Sequence, residues 1–204
     1  MKEIRSFNFE VRAKEDETRG NEVEGRAIVY NARTDLGWYD EIIDSDALKE
    51  TDLKDVRFLI NHNTDMIPLA RSRNNNENST LQMTVDEEGM TIRANLDTEN
   101  NTEAKNLYSA VERGDLSGMS FMFTVDEDKW EDLESEHPTR HILSIGKVFE
   151  VSAVTFPAYE QTSLEARGLS EALESAKTSL ESAKSELRAI ERKKQKIRIM
   201  TEVF

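Results

Sequence analysis

A serine within an apolar, strand-like segment is the first residue whose setting indicates chemistry. The segment Leu116–Phe123 reads Leu-Ser-Gly-Met-Ser-Phe-Met-Phe, and its alternation predicts a β-strand. Met119 begins the apolar face of this strand, whereas Ser120 points to the other face and is held on a rigid element. A hydroxyl held in this way is a candidate nucleophile, and our hypothesis is that Ser120 is the nucleophile of a serine endopeptidase. Ser117, three residues earlier and on the opposite face, is the competing hydroxyl.

A serine nucleophile needs a base to take its proton, and the three histidines of the chain are the candidate imidazoles. His62 ends the apolar segment Val56–His62, where a side chain leaves the edge of a core. His137 precedes Pro138 in an acidic segment typical of a surface loop, and His141 opens a later strand. His62 is thus the best-placed general base, although a histidine at a strand end is also commonly structural. His137 and His141 are four residues apart, but they lie in a predicted loop and at the start of a predicted strand rather than on a helix, which argues against a zinc hydrolase.

One acidic residue interrupts an otherwise apolar strand. In Val148–Val154, which reads Val-Phe-Glu-Val-Ser-Ala-Val, Glu150 shares a face with Ser152. A buried carboxylate is costly unless it is paired. Glu150 therefore either faces water on an edge strand or accepts the imidazole N–H of His62. In the second case it orients the base and stabilises the imidazolium formed during acylation.

The composition excludes several classes of protein. A net charge of −14 argues against a nucleic-acid-binding body, because phosphate contacts need clustered Lys and Arg. The chain has no cysteine, which excludes thiol catalysis, disulfides and thiolate metal sites. No apolar run approaches bilayer-spanning length, and the segment Met1–Glu10 is too polar for a signal peptide. We expect an intracellular protein with no cofactor, no metal and no membrane partner.

The order of the predicted elements indicates an α+β fold. Strand-like segments with period-2 alternation occupy most of the chain, and the best hairpin spans Thr80–Leu96. Apolar residues at helical spacing predict a helix over Thr102–Arg113. A shorter helix is expected at Asp46–Thr51, and the acidic segment Asp126–Glu136 is expected to be a loop. Residues 1–167 are thus expected to form a β-rich, barrel-like catalytic domain with a few surrounding helices.

The composition changes beyond Gly168. Apolar residues recur at alternating spacings of four and three, and Glu174–Leu180 is nearly repeated by Glu181–Leu187. Such a heptad repeat favours a helix that pairs with another helix over an amphipathic helix folded back on its own domain. We therefore expect residues 168–204 to form a coiled-coil tail. Its end, Arg188–Arg198, is strongly basic, and we interpret this as a solvated face that complements the helix dipole rather than a tether to an acidic partner.

Taken together, these segments resemble the prohead (capsid maturation) protease family of tailed phages, whose fold is similar to that of the herpesvirus assembly proteases. The matching blocks follow the family's order and span about residues 23–167. They are Gly25-Arg-Ala-Ile-Val-Tyr-Asn31, Phe58-Leu-Ile-Asn-His-Asn63, Asp86-Glu-Glu-Gly-Met-Thr-Ile92, Arg113-Gly-Asp-Leu-Ser-Gly-Met-Ser-Phe121 and Val148-Phe-Glu-Val-Ser-Ala-Val-Thr-Phe-Pro-Ala-Tyr159, followed by Thr162-Ser163. The Gly-Met-Ser-Phe block and the Glu-Val-Ser-Ala-Val-Thr-Phe-Pro-Ala block are the most specific.

The resemblance implies roles for the candidate residues. By it, Ser120 is the nucleophile and His62 is the general base. Relatives use an acidic residue of the Glu-Val-Ser block as the third member, which is Glu150 in this chain. The herpesvirus enzymes use a second histidine instead, so His141 is the alternative.

Two positions depart from the family's pattern. Met122 stands where the family usually has Gly, which crowds the backbone just past the nucleophile. Asn63 stands where Asp often follows the histidine, which removes a nearby charge. Neither change removes a catalytic group, so we expect activity to survive. For the oxyanion we favour a backbone N–H near Ser120 over a water held by Arg71 or Arg73.

The resemblance also implies a setting. It implies an endopeptidase inside an immature phage capsid in the host cytoplasm, which cuts scaffold, or the scaffold-like segment of the coat protein, and also trims itself. The predicted coiled-coil tail would bring it to scaffold helices or to a second copy of the chain. The alternative is a non-enzymatic scaffold or assembly protein that retains a protease-like fold.

Overall fold

The computed structural model of the chain describes residues 2–7, 11–16, 20–155 and 163–202. Within these ranges the chain forms eleven strands and two helices. In chain order they are β1 (Lys2–Phe7), β2 (Val11–Asp16), β3 (Gly20–Val29), β4 (Arg33–Asp35), β5 (Asp40–Ile43), β6 (Asp55–Ile60), β7 (Ala70–Arg73), β8 (Leu81–Asp86), β9 (Gly89–Asn95), α1 (Thr102–Glu112), β10 (Gly118–Glu131), β11 (Thr139–Val154) and α2 (Ser163–Glu202). The predominance of strands agrees with the predicted α+β class.

The strands form two sheets. The larger has seven strands in the order β1-β10-β11-β5-β4, with β6 also paired to β11 and β7 paired to β6. The smaller has the order β2-β3-β9-β8. The two sheets share one apolar core. No closed barrel is found among the described strands, because the larger sheet branches at β11 and ends in open edges, so the barrel-like part of the prediction is not supported.

The antiparallel pair β10 and β11 forms the centre of the larger sheet. Its register places Ser120 opposite Ser152. On the other side of β10, β1 runs antiparallel and forms the edge of the sheet. On the other side of β11, β6 runs parallel to its C-terminal half, and Leu59 pairs with Ser152. Four adjacent strands, β1, β10, β11 and β6, therefore converge at the level of Ser120.

Two local predictions are wrong. The acidic segment Asp126–Glu136 is not wholly a loop, because β10 continues to Glu131 and pairs with β11 through several register shifts. The segment Asp46–Thr51 forms turns rather than a helix. Asp46 has a φ of 70°, and a left-handed residue cannot begin a right-handed helix.

The predicted hairpin and central helix are observed. β8 and β9 form the hairpin, with Leu81 and Ile92 among its buried residues. Gly89 enters β9 with a φ of 137°, and a Cβ there would lie 2.0 Å from the main-chain oxygen of Ile28, so only glycine fits. α1 is capped by Asn101, whose side chain accepts backbone N–H bonds from its first turn.

Part of α2 is folded back on the body. Ala176 and Leu180 are buried against Tyr39 and Trp130, and Leu173 and Ala183 pack partly against the same cluster. The first part of the predicted heptad seam therefore contacts the chain's own sheet, which is the alternative that the sequence disfavoured. Beyond this contact Ile190 and Ile197 are exposed. None of the described helices has an apolar stretch long enough to cross a bilayer.

A polar contact also fixes α2 to the sheet. The indole N–H of Trp130 donates to Ser179 Oγ at 3.0 Å, and Ser179 donates to the carboxylate of Asp128 at 2.8 Å. Asp128 in turn accepts a hydrogen bond of 2.6 Å from Arg140 Nε. The helix is thus joined through Asp128 to a group of buried charges.

The buried charges form an ionic cluster between β1, β5 and β11. Arg5 bonds Glu41 through two guanidinium nitrogens and Glu3 at 2.7 Å, and Arg140 bonds Glu3 at 2.9 Å. Burial alone raises the pKa of Glu3, but Arg5 and Arg140 outweigh burial and lower it. Burial raises the pKa of Tyr39, which borders the cluster, to about 12, although Arg5 opposes this change. The cluster anchors β1 at the sheet edge.

Candidate active site

Ser120 is held rigidly at the start of β10. Its neighbours Met119 and Phe121 are fully buried in the core on the opposite face, which fixes the orientation of the strand. Ser120 is itself fully buried, between β11 and β1. The sequence predicted the strand and the two faces correctly, but it gave no sign that β1 would cover the hydroxyl.

His62 lies in a tight turn directly after β6. The N–H of Asn63 donates to the main-chain oxygen of Ile60 at 3.0 Å. Both central residues are left-handed, with φ of 49° at Asn61 and 55° at His62, a pattern typical of a type I′ turn. The side chain of Asn61 accepts the N–H of Thr155 at 3.0 Å, which ties the turn to the end of β11. The turn directs the imidazole inward, where it is buried.

The three predicted residues meet in one hydrogen-bonded series. Ser120 Oγ lies 2.6 Å from His62 Nε2, and His62 Nδ1 lies 2.6 Å from Glu150 Oε1. Glu150 is buried, so the alternative that its carboxylate faces water on an edge strand is wrong. A hydroxyl, an imidazole and a carboxylate in this order can pass a proton from the hydroxyl to the imidazole while the carboxylate holds the ring.

A fourth residue belongs to the same cluster and was not predicted as functional. Ser152 Oγ donates to Glu150 Oε2 at 2.6 Å and accepts the main-chain N–H of His62 at 3.1 Å. The available signal was its position two residues after Glu150 on one strand face. That signal places Ser152 near the carboxylate but does not indicate a contact with the backbone of His62.

The main chain of β1 contacts the hydroxyl of the series. Ser120 Oγ donates to the main-chain oxygen of Arg5 at 2.8 Å. A hydroxyl has one proton, so Ser120 can donate to Arg5 or to His62 but not to both at once. The carbonyl of Arg5 therefore competes with the imidazole for the proton that a base must remove.

The other candidate residues lie in separate contacts. His141 Nδ1 is 2.7 Å from an oxygen of Asp44, and His137 Nε2 is 3.1 Å from an oxygen of Asp40. The three histidines thus have different partners, and their arrangement does not support a shared zinc site. Among the described residues, one group has ligand atoms close enough to hold a metal ion, Asp35 with Asp40 and His137. Asp40 there already accepts a hydrogen bond from Arg33.

The remaining predicted positions make contacts outside the series. Met122 is half-buried opposite Glu150 in the register, and the carbonyl of the Asn63 side chain accepts a bond from Asp65. The guanidinium of Arg71 is bonded to Asp55 at 2.7 Å. None of these contacts identifies the hydrogen-bond donor for the oxyanion, so the backbone N–H near Ser120 stays a prediction.

The fold and the buried series define the chain as a β-rich protein with the side-chain order of a serine hydrolase. The comparison with protein families makes this more specific. The model of the family described as caudovirus prohead serine protease matches residues 7–177, and the chain belongs to that family. Membership implies a serine peptidase of capsid maturation that associates with capsid proteins and acts in the phage capsid within the host cell. No curated protein and no solved structure matches the chain.

The family match and the structure also bear on the division of the chain. The match ends at residue 177, and α2 begins at Ser163. Neither position coincides with the predicted boundary between residues 167 and 168. That boundary remains a prediction.

Proposed function

We propose that this chain is a serine endopeptidase with Ser120 as nucleophile, His62 as general base and Glu150 as the group that orients the base. The observation that supports this most is the unbroken series Ser120–His62–Glu150, with both contacts at 2.6 Å. All three side chains are buried, and charge-assisted hydrogen bonds are strongest where water is excluded.

The proposed reaction proceeds in two stages. Ser120 Oγ bonds to the scissile carbonyl carbon while its proton passes to His62 Nε2. The imidazolium is stabilised by Glu150 through Nδ1–H and then gives the proton to the leaving amine as the C–N bond breaks. A water molecule next attacks the acyl carbon and loses a proton to His62, which returns this proton to Ser120 Oγ as the bond between the acyl carbon and Oγ breaks. We expect a backbone N–H near Ser120 to stabilise the oxyanion.

We propose that the substrate is an extended segment of scaffold, or of the scaffold-like part of the coat protein. The carbonyl of Arg5 on β1 is bonded to Ser120, so an extended peptide already lies where a substrate carbonyl would lie. A substrate strand could take this place only if β1 moved away and its buried ion pairs with Glu41 and Arg140 were broken, and the hydroxyl proton would then return to His62. The same position of β1 supports self-cleavage within the N-terminal segment.

The partners proposed for α2 follow from its exposed part. Beyond Leu187 the described side chains are exposed, including Ile190 and Ile197 among basic residues. We propose that this part, rather than the whole tail, pairs with a scaffold helix or with a second copy of the chain. The contact would raise the local concentration of substrate before cleavage.

The test of the proposed function uses a fluorophosphonate, which traps activated serines. Ser120 Oγ would form a bond to phosphorus as fluoride leaves, and mass spectrometry would place the label on the peptide containing residue 120. Ser120→Ala should abolish labelling, whereas the matched variant Ser117→Ala should label like the parent chain. In cells that also make the phage coat and scaffold proteins, Ser120→Ala should leave both uncut.

The alternative is a non-enzymatic scaffold or assembly protein that keeps the protease-like fold. It predicts no label on the parent chain and normal heads from the Ser120→Ala variant. Label on Ser117 with retained cleavage in Ser120→Ala would refute the assignment of the nucleophile while leaving a serine peptidase.

A further inference from the structure

We propose that Ser152 is a positioning residue that fixes both the carboxylate and the backbone of the base. The inference rests on the proposed function, because it assigns Ser152 a role only in the series from Ser120 through His62 to Glu150. Ser152 would not touch the substrate. Its effect on the reaction would pass through its two partners, Glu150 and His62.

The contacts of Ser152 are the basis of the inference. Its hydroxyl donates to Glu150 Oε2 at 2.6 Å and accepts the N–H of His62 at 3.1 Å. Ser152 is fully buried in the middle of the sheet, between Ser120 on β10 and Leu59 on β6. One oxygen atom thus joins the carboxylate to the main chain of the residue that the carboxylate must hold.

The carboxylate needs this donor for its orientation. Glu150 contacts His62 through Oε1, and its second oxygen would lose its donor among the described residues if Ser152 were an alanine. An unsatisfied buried oxygen is costly, so the carboxylate would rotate or admit water to satisfy it. Either change would move Oε1 away from Nδ1 of the imidazole.

The backbone of His62 needs a second constraint. Asn61 and His62 are both left-handed, and a residue with a Cβ adopts that conformation only when its surroundings hold it. Asn61 is held by its side-chain bonds to Thr155. The N–H of His62 is held by Ser152, so the hydroxyl of Ser152 stabilises the turn that directs the imidazole toward Ser120.

A purely structural role for Ser152 makes different predictions. A buried serine that only satisfies two polar groups would affect the free energy of unfolding, and labelling would change only with the folded fraction. A positioning residue would change the rate of phosphonylation in chain that is fully folded. Ser72 provides the control, since it is also fully buried and its Oγ accepts the N–H of a left-handed residue, Asn75, at 3.0 Å.

The experiment measures fluorophosphonate labelling of the full-length chain at several probe concentrations, which gives the limiting rate constant and the probe affinity separately. We expect Ser152→Ala to lower the limiting rate constant about 10- to 100-fold with little change in probe affinity, the range for a lost hydrogen bond to a charged group. Ser72→Ala should retain the parent value. The melting temperature of each variant shows whether it is folded under the assay conditions.

Two further variants separate the possible outcomes. In a Glu150→Ala background, Ser152→Ala should lower the rate constant by a smaller factor than in the parent chain, since the carboxylate partner is gone and only the bond to the N–H of His62 remains to be lost. Ser152→Thr retains the hydroxyl but adds a buried methyl group, so it should lower the melting temperature while labelling stays close to that of the parent chain. This variant decides the question if Ser152→Ala does not fold.

Some results would overturn the inference. A parent-like rate constant in Ser152→Ala would do so, as would the same fold-loss in the presence and absence of Glu150. Labelling that falls in step with the melting temperature in Ser152→Thr would also assign Ser152 a structural role. An unlabelled parent chain is a different result, because it would refute the proposed function itself.

Discussion

Replacing Glu150 by glutamine tests which residue orients the base. Glutamine has the size of glutamate, and its amide can still accept from His62 and donate to Ser152, whose hydroxyl is free to rotate. The fold should therefore be retained. What is lost is the negative charge beside the imidazolium that forms when Ser120 gives up its proton.

The magnitude follows from the geometry at Glu150. Its contact with His62 is a charge-assisted hydrogen bond of 2.6 Å between two buried side chains. Such bonds contribute about 2–3 kcal/mol, which corresponds to a rate loss of about 30- to 150-fold. The loss should appear in the limiting rate constant for fluorophosphonate labelling, while the melting temperature changes by a few degrees at most.

His141→Ala provides the comparison, because His141 is the alternative third member. Its contact with Asp44 is partly exposed, so we expect a change of less than about 1 kcal/mol in stability and a labelling rate like that of the parent chain. A parent-like rate in Glu150→Gln together with a large loss in His141→Ala would refute the assignment of Glu150. It would also mean that the base contacts His141 in the active state.

Three further predictions concern stability. The pKa of Glu3 is lowered in the folded chain, so its carboxylate stabilises the fold above the ordinary value of 4.5, and this stabilisation disappears as the pH falls through the pKa of the folded state. In urea denaturation, the free energy of unfolding should therefore fall less between pH 6 and pH 3.5 in Glu3→Gln than in the parent chain. The pKa of Tyr39 is raised to about 12, so between pH 10 and pH 12 the unfolded chain binds fewer protons than the folded chain and the free energy of unfolding falls. In urea denaturation, the decrease in this free energy from pH 9 to pH 11 should be smaller in Tyr39→Phe than in the parent chain. An equal decrease would contradict the raised pKa of Tyr39. Deleting residues 188–204 should leave the melting temperature unchanged, whereas deleting residues 168–204 should cost about 3 kcal/mol or more, because it uncovers Tyr39 and Trp130.

The sequence predicted local features better than contacts between distant segments. The strand of Ser120, the hairpin at Thr80–Leu96 and the helix at Thr102–Arg113 each carry a complete local signal of alternation, turn residues or helical spacing. The acidic segment Asp126–Glu136 was predicted to be a loop because polar residues seldom indicate a strand, but its first part, up to Glu131, belongs to β10. It is a strand because β11 runs beside it, and that partner lies too far along the chain for local alternation to show.

The residues of the candidate site were predictable from the sequence, but the position of β1 beside Ser120 was not. Matching blocks identified Ser120, His62 and Glu150, and all three meet in the structure. β1 lies beside Ser120 through its ladder with β10 and through the ion pair between Arg5 and Glu41, and no spacing rule connects segments so far apart in the chain. The apolar stripe of α2 was predicted to pack on a partner helix, but its first part packs on the sheet. The sequence could not distinguish the two cases, since a narrow apolar stripe can pack on either surface.

The arrangement of the site depends on register more than on loops. Glu150 and Ser152 are two residues apart on β11 and therefore share one face, and Ser120 shares that face because it pairs with Ser152. A slip of one residue between β10 and β11 would move Ser120 out of line with both, since neighbouring residues on a strand face opposite sides. Met119 and Phe121 prevent this slip, because it would expose them and bury polar groups in the core. The apolar residues on either side of Ser120 thus hold the register, while the turn at His62, fixed by Asn61 and Ser152, is the one part that register does not determine.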